Sequence, residues 1–256
     1  MCSPSRACRG PRAPRRCAAT ARPIRSAASC HERAVKILHT SDWHVGKHLG
    51  RYDRAAEFRE ALDEVQGIAE EYAVDLVVVA GDLWDRAAPP TDALGDGVNA
   101  LVRLADGGRR AVVVIAGNHD SPELFDVLAP LLAPLGVHLI GRIRRPEAGG
   151  LLLLDTPGGR AAIGCVPFLR EGRVVDFMAE SGQWYGQYQE RLARLFAAYG
   201  EALEREAATA VTVLVAHAGV SGVTIRDREL GRGERELHIG EAYMVLPSAL
   251  PAAPQY

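Results

Sequence analysis

From Val35 onward the hydrophobic positions alternate between two periods. VKILHT at 35–40 reads as a strand, and the stretch from Arg54 to Tyr72 then places Phe58, Leu62, Val65, Ile68, Ala69 and Tyr72 at helical spacing. DLVVVAGD is a second apolar strand. After the Pro89-Pro90 break, Asp92 to Ala105 predicts a second helix, and RAVVVIAGN a third strand. Leu124 to Leu132 reads as a short helix and Val137 to Ile140 as a short strand. The glycine-rich stretch to Gly159 reads as hairpin and loop, RAAIGCVPF as a strand, Tyr185 to Ala208 as a long helix, and VTVLVAH as the last clear strand. Continuous Val/Ile/Leu runs separated by helices predict a sheet covered on both faces, a layered α/β/α fold. No internal repeat is present.

The strand ends change the picture. VKILHTSDWH closes on Asp42 and His44, DLVVVAGD on Asp82, VVVIAGNHD on Asn118, His119 and Asp120, and VTVLVAH on His217. Taken alone, GNHD is readily a polar turn with Gly117 at positive φ. Four such ends in one chain are harder to dismiss, because ligands of open α/β sheets bind outside the carboxyl ends of the strands. Asp42 and His44 stand two apart, so in an extended segment both project to one side. A carboxylate, imidazole and amide set without thiolates suits Mn²⁺, Fe²⁺, Zn²⁺ or Mg²⁺ in a hydrolytic site better than a structural zinc. One carboxylate shared between two ions would make a two-metal site, and Asp82 is the candidate bridge.

Composition adds limits. The chain has 256 residues, 48% of them hydrophobic, and a formal net charge of -2, enough for a sizeable core and neutral as to nucleic acid or small phosphates. No apolar run approaches the roughly 20 residues that span a bilayer, so the sequence predicts a protein without a membrane segment. Residues 1–34 hold eight Arg and one Glu with no hydrophobic periodicity, which predicts a disordered basic arm. Its Cys2, Cys8, Cys17 and Cys30 follow no zinc or redox spacing. An Arg-rich, acid-poor arm resembles an organellar transit peptide. Cys165 reads as inert core, His39, His138 and His238 as structural, and Trp43 and Trp84 as packing near the strand ends. His48 and the charge-rich stretch Arg226 to Glu236 are candidates to approach substrate.

HTSDWHVGK, VVVAGDLWD, VIAGNHDS and VLVAHAGV resemble, in order and spacing, the successive motifs of the calcineurin-like metallophosphoesterases. SDWHVGK with AGDLWDRAAPP, AGNHDSPE, CVPFLRE and IGEAYMVLPSALPAAPQY is similar, more narrowly, to the DNA nuclease subunits that act with an SbcC-type ATPase. The resemblance runs from Val35 to Tyr256. It implies a metallophosphoesterase sandwich with a mixed central sheet over 35–256, and two divalent ions, usually Mn²⁺. Asp42, His44 and Asp82 would hold one ion, and Asp82, Asn118 and His217 the other. His119 would act on the transition state or the leaving oxygen as a non-ligand, with Asp120 orienting its ring. The implied reaction is phosphodiester hydrolysis by in-line attack of hydroxide, exonucleolytic on double-stranded ends and endonucleolytic on single strands or hairpins. The implied setting is a bacterial cytoplasmic, nucleoid-associated homodimer within a heterotetramer, the dimer formed through helices in the Arg54 to Tyr72 region.

Two departures qualify the resemblance. The family pattern continues past Tyr256 into Gly-His-x-His, whose histidines complete both metal sites. The expectation is therefore that these 256 residues bind metal weakly and cut little by themselves. Relatives usually begin near the first strand, with Met where Val35 stands, and a GUG codon can start translation. Residues 1–34 are thus expected to be an upstream reading of the gene. Two other functions share these residues: a generic phosphoesterase on small esters, and a DNA- or partner-binding role without catalysis.

Overall fold

The computed structural model describes residues 34–169, 188–220 and 244–256. The basic arm up to residue 33 with its four cysteines, the Arg226 to Glu236 stretch and His238 lie outside the described residues.

The first half of the described chain is a parallel α/β layer. Strands β1 (Ile37–Thr40), β2 (Leu76–Ala80), β3 (Ala111–Ile115) and β4 (Val137–Ile140) pair in that order, all parallel. Helices α1 (Ala55–Glu71), α2 (Thr91–Ala105) and α3 (Pro122–Leu132) connect them. Ser121 caps α3, its hydroxyl accepting from the Leu124 N–H at 3.2 Å, with Pro122 at the first helical position.

Side chains alternate across a strand, and the two faces of β2 and β3 go to different neighbours. Val77, Val79, Val112 and Val114 pack with Leu62, Leu101, Leu104 and Phe125 of the helices. Leu76, Val78, Ala80, Val113 and Ile115 face the other way, onto Ala161, Ile163, Cys165, Val213 and Val215. Those residues belong to a second sheet, formed by β5 (Leu151–Thr156), β6 (Gly159–Val166) and β7 (Val211–Ala216), with β5 antiparallel and β7 parallel to β6. Its far face is covered by α4 (Tyr188–Glu206) through Leu192, Leu195, Phe196, Tyr199 and Leu203. The α/β class and the helical outer layers stand as expected, but the β layer between them is double. The mixed pairing is confined to the second sheet. A short parallel pair, β8 (Gly219–Val220) and β9 (Met244–Val245), completes the strands among the described residues.

Cys165 is fully buried in β6, and burial pushes its thiol up to about 12, which accords with an inert core residue. No helix among the described residues is long and apolar enough to cross a membrane.

Two expected results arise from this packing. Arg110, 6% exposed, donates Nε to the Val74 carbonyl at 3.0 Å, Nη1 to Leu104 at 2.8 Å and Nη2 to Ala69 at 3.2 Å, tying the ends of α1 and α2 to β3. Arg110→Met strips three buried carbonyls of their donor and should lower stability by about 2–3 kcal/mol in denaturant titration. His138 on β4 has its pKa lowered from 6.5 by burial alone. The folded state therefore resists its proton, so stability present above about pH 6.5 is lost as pH falls toward the lowered value. The urea midpoint should decline less between pH 7 and 5.5 in His138→Gln than in the parent chain.

Candidate metal centre

The ligand-bearing loops leave their strands at the same edge and are stitched to one another. Asp42 N–H donates to the Gly81 carbonyl at 3.0 Å, His44 N–H to Asp82 at 2.9 Å and Val45 N–H to Leu83 at 3.1 Å, and Asp85 N–H returns to Val45 at 3.2 Å. These bonds carry the β1–β2 pairing past the strands while the backbone leaves the extended region. Asp42, His44 and Asp82 sit at φ of 55°, 46° and 51°, so their side chains are aimed by left-handed backbone rather than by strand alternation. Asp42 and His44 do come to one place, with Oδ1 and Nε2 3.8 Å apart, as expected, but left-handed backbone and not an extended segment brings them there. Non-glycine residues in this region cost of order 1–3 kcal/mol each, and such strain clusters at functional sites.

Asp82, 3% exposed, is the centre of the arrangement. Its Oδ2 lies 3.7 Å from Nε2 of both His44 and His217, and its Oδ1 accepts the His119 N–H at 2.9 Å. His44 Nε2 is also 3.8 Å from Asp42 Oδ1, and His217 Nε2 is 3.1 Å from Asn118 Oδ1. Metal-ligating atoms of Asp42, Asp82 and His217 lie within 4.8 Å of one another, and so do those of His44, Asp82 and His119. Every residue expected at the metals is therefore brought to one place, with β7 supplying His217 from the second sheet. The grouping differs from the expected one in that His119 stands beside His44, the two rings 4.7 Å apart and edge to face.

The chemistry of the donors fits a cation. His217 Nδ1 is 2.6 Å from the Ala80 carbonyl, which can only accept, so in the neutral ring Nδ1 carries the hydrogen and Nε2 a lone pair. That lone pair meets a carboxylate and an amide oxygen, three acceptors with no proton between them, an arrangement that a divalent ion would satisfy. Burial, opposed by Asp82 and reinforced by His119, lowers the pKa of His44, favouring the neutral imidazole that coordination requires.

Asp120 is placed differently from expectation. Fully buried, it accepts the Leu83 N–H at 3.1 Å and the Gly117 N–H at 2.9 Å on Oδ2 and the Trp84 N–H at 3.0 Å on Oδ1. Burial pushes its carboxyl above the ordinary value against the pull of those three N–H groups. The His119 ring is held instead by the Asp85 carbonyl, 2.8 Å from Nδ1. Asp120 thus fastens the loop after β2 to the loop after β3 and does not orient His119.

Sequence reasoning missed two glycines and one acid. A Cβ on Gly117 would sit 2.1 Å from Asp82 Oδ1 and 2.3 Å from its backbone nitrogen, and one on Gly81 would sit 2.2 Å from the His217 ring. Gly117 is required by close approach; it is not among the residues at positive φ, whereas Gly81 is, at 102°. Asp85, three residues after Asp82 in GDLWD, contacts both His44 and His119. His48 is exposed, and His39 Nδ1 lies 2.9 Å from the Tyr256 hydroxyl. Trp84 is buried against Phe125, and Trp43, partly buried, donates to Thr40 Oγ1 at 2.9 Å, so both pack as expected.

Comparison with known proteins matches residues 35–241 to the family of calcineurin-like phosphoesterases. The chain belongs to that family. It is 33% identical to the SbcD component of the nuclease SbcCD from Bacillus subtilis (strain 168) over 235 residues, 87% of this chain and 55% of that protein. Identity to the component of the same name in Rhodobacter capsulatus is 32% over 230 residues, 86% of this chain and 55% of that one. The Escherichia coli (strain K12) counterpart is 32% identical over 146 residues, 57% of this chain and 36% of its own. The chain spans about half the length of the first two relatives. Membership in the calcineurin-like phosphoesterases accords with the cluster around Asp82, since this is a family of metal-dependent enzymes and the cluster offers the donors.

Proposed function

We propose that this chain is the phosphodiesterase core of a divalent-metal-dependent DNA nuclease that works with an SbcC-type ATPase. The observation that carries the reading is the convergence of Asp42, His44, His119 and His217, from the ends of parallel strands and of β7, on the buried carboxylate of Asp82, with Asn118 against His217. Two ions, Mn²⁺ by preference, would be held by Asp42, His44 and Asp82 and by Asp82, Asn118 and His217. Bound there, they would supply Lewis acidity toward a phosphoryl oxygen and lower the pKa of the attacking water. The remaining work falls to the protein. His217, with Nδ1 against the Ala80 carbonyl, and His44 would present their Nε2 atoms to the cleft. His119, fixed through Nδ1 by the Asp85 carbonyl, keeps its other nitrogen for the developing charge or the leaving oxygen. Asp120 keeps the two loops in register. A nuclease role and an SbcC-type partner are supported by the names of the relatives; DNA ends and hairpins as substrate, and assembly as a dimer, are what the family resemblance implies.

The test is hydrolysis by the full chain, with Mn²⁺, of end-labelled duplex and hairpin DNA beside a small phosphodiester and a phosphomonoester. Cleavage, however slow, is expected to be sensitive to chelator and to prefer the DNA substrates. Faster turnover of the small esters would make the chain a general phosphoesterase, and DNA binding indifferent to chelator, without turnover, would make it a binding module.

A further inference from the structure

His44 Nδ1 is the one buried side-chain nitrogen or oxygen among the described residues without a hydrogen-bond partner. Polar atoms in that position are rare in folded proteins and call for an explanation. Oδ1 of Asp85 stands 3.8 Å from it. A side-chain rotation moving the oxygen by about 1 Å closes that gap to hydrogen-bond length. Asp85 is well placed to do so. Its backbone is fixed from both sides, its N–H donating to the Val45 carbonyl at 3.2 Å and its carbonyl 2.8 Å from His119 Nδ1. Its Oδ2 is turned to Arg86 Nε at 3.8 Å, which leaves Oδ1 to the imidazole. Its side chain is 18% exposed and that of His44 is 19% exposed, so water competes little for the contact.

We propose that Asp85 is a positioning residue for His44: its carboxylate accepts the Nδ1 hydrogen and so presents the Nε2 lone pair to the cleft between Asp42 and Asp82. An isolated imidazole carries its hydrogen mostly on Nε2, and in this cleft Nε2–H would point at two carboxylate oxygens, 3.7 and 3.8 Å away, and block coordination. A ligating histidine needs its other nitrogen held by an acceptor, and carboxylates commonly serve. The Asp85 carboxylate supplies that acceptor for His44 as the Ala80 carbonyl does for His217. Through its carbonyl the same residue also fixes the His119 ring, so GDLWD sets two imidazoles from one position. The inference deepens the metal-dependent reading above and rests on it for its purpose, though the contact itself is independent of any ion.

The experiment is ¹⁵N long-range NMR of the imidazoles in the full chain without metal, with His44 assigned by comparison to His44→Gln. Nδ1–H is expected for His44 in the parent chain and in Asp85→Asn, whose amide oxygen still accepts, and Nε2–H in Asp85→Ala. Mn²⁺ titration calorimetry should then show affinity about 10–100-fold weaker for Asp85→Ala, with Asp85→Asn between it and the parent. Nε2–H in the parent chain overturns the proposal without any variant, and so does an unchanged tautomer in Asp85→Ala. If the parent binds no Mn²⁺ while the tautomers behave as stated, the metal-dependent reading fails and the Asp85 to His44 contact stands.

Discussion

Gly117→Ala should lower metal-dependent hydrolysis about a hundredfold or more and weaken Mn²⁺ binding with it. The added Cβ would lie 2.1 Å from Asp82 Oδ1, 2.7 Å from its Cγ and 2.3 Å from its backbone nitrogen. A flexible side-chain end could swing aside, but one of these obstacles is backbone, and that backbone is pinned by the His44 N–H bond to the Asp82 carbonyl at 2.9 Å. The clash is therefore relieved only by separating the loop after β2 from the loop after β3. That separation breaks the His119 N–H bond to Asp82 Oδ1 and shifts Asn118, its neighbour in the chain, with it. Displacements of about 1 Å in a reacting constellation cost of the order of a hundredfold in rate, and overpacking adds about 1–3 kcal/mol of destabilisation. Steady-state kinetics with calorimetric Mn²⁺ titration is the check. A variant with parental kinetics would mean that the loops yield without moving the ligands.

Asp120→Ala should remove on the order of 3–5 kcal/mol of stability, more than the loss of the Arg110 guanidinium, and loosen the loop after β2 from the loop after β3. Three backbone N–H groups, of Leu83, Trp84 and Gly117, end on this one carboxylate in a site closed to solvent. Alanine leaves all three without an acceptor, and each buried orphan costs about 1–3 kcal/mol, less what inward water recovers. Asp120→Asn keeps an oxygen for one side but turns an NH₂ toward an N–H donor on the other, so it should recover only part of the loss. Urea denaturation of the two variants measures both steps. If His119 were the partner of Asp120, stability would change little and the pH profile of hydrolysis would change instead.

The outline of both fold and site was legible because burial and coordination leave different marks on sequence. The aliphatic runs at Leu76–Ala80 and Ala111–Ile115 have to be apolar on both faces, and the helix stripes of Leu62 and Leu101 follow their period. Polar residues directly after such runs are conspicuous, which is why Asp42, His44, Asp82, Asn118 and His217 stood out. What covers the second face of β2 and β3 was not legible. A run such as VTVLVA reads alike whether a helix or another sheet lies against it, so the doubled β layer emerged only from the packing of Val213 and Val215 on Val78 and Val113. Backbone geometry was equally silent. Asp42 and His44 share a side as alternation promised, but left-handed residues are what aim them there. The short range from Asp120 to His119 suggested a pair, whereas three N–H groups claim the carboxylate. Gly117 looked like a turn glycine because spacing carries no record of how closely the Asp82 carboxylate approaches it.

The seam between the two sheets passes through the donor cluster. Asp42, Asp82 and Asn118 leave the parallel sheet, while His217 leaves β7 of the other, with its Nδ1 anchored on Ala80 across the divide. A ligand gripping both sides acts as a clasp, and by mass action it favours only the conformations in which the halves are closed. Occupancy at the edge should therefore be felt in the interior, as slower amide exchange along β7 and β2 when divalent ions are added, at sites many residues from any donor. On the proposed reading, withdrawing the ion would loosen the packing between the two sheets along with the site itself.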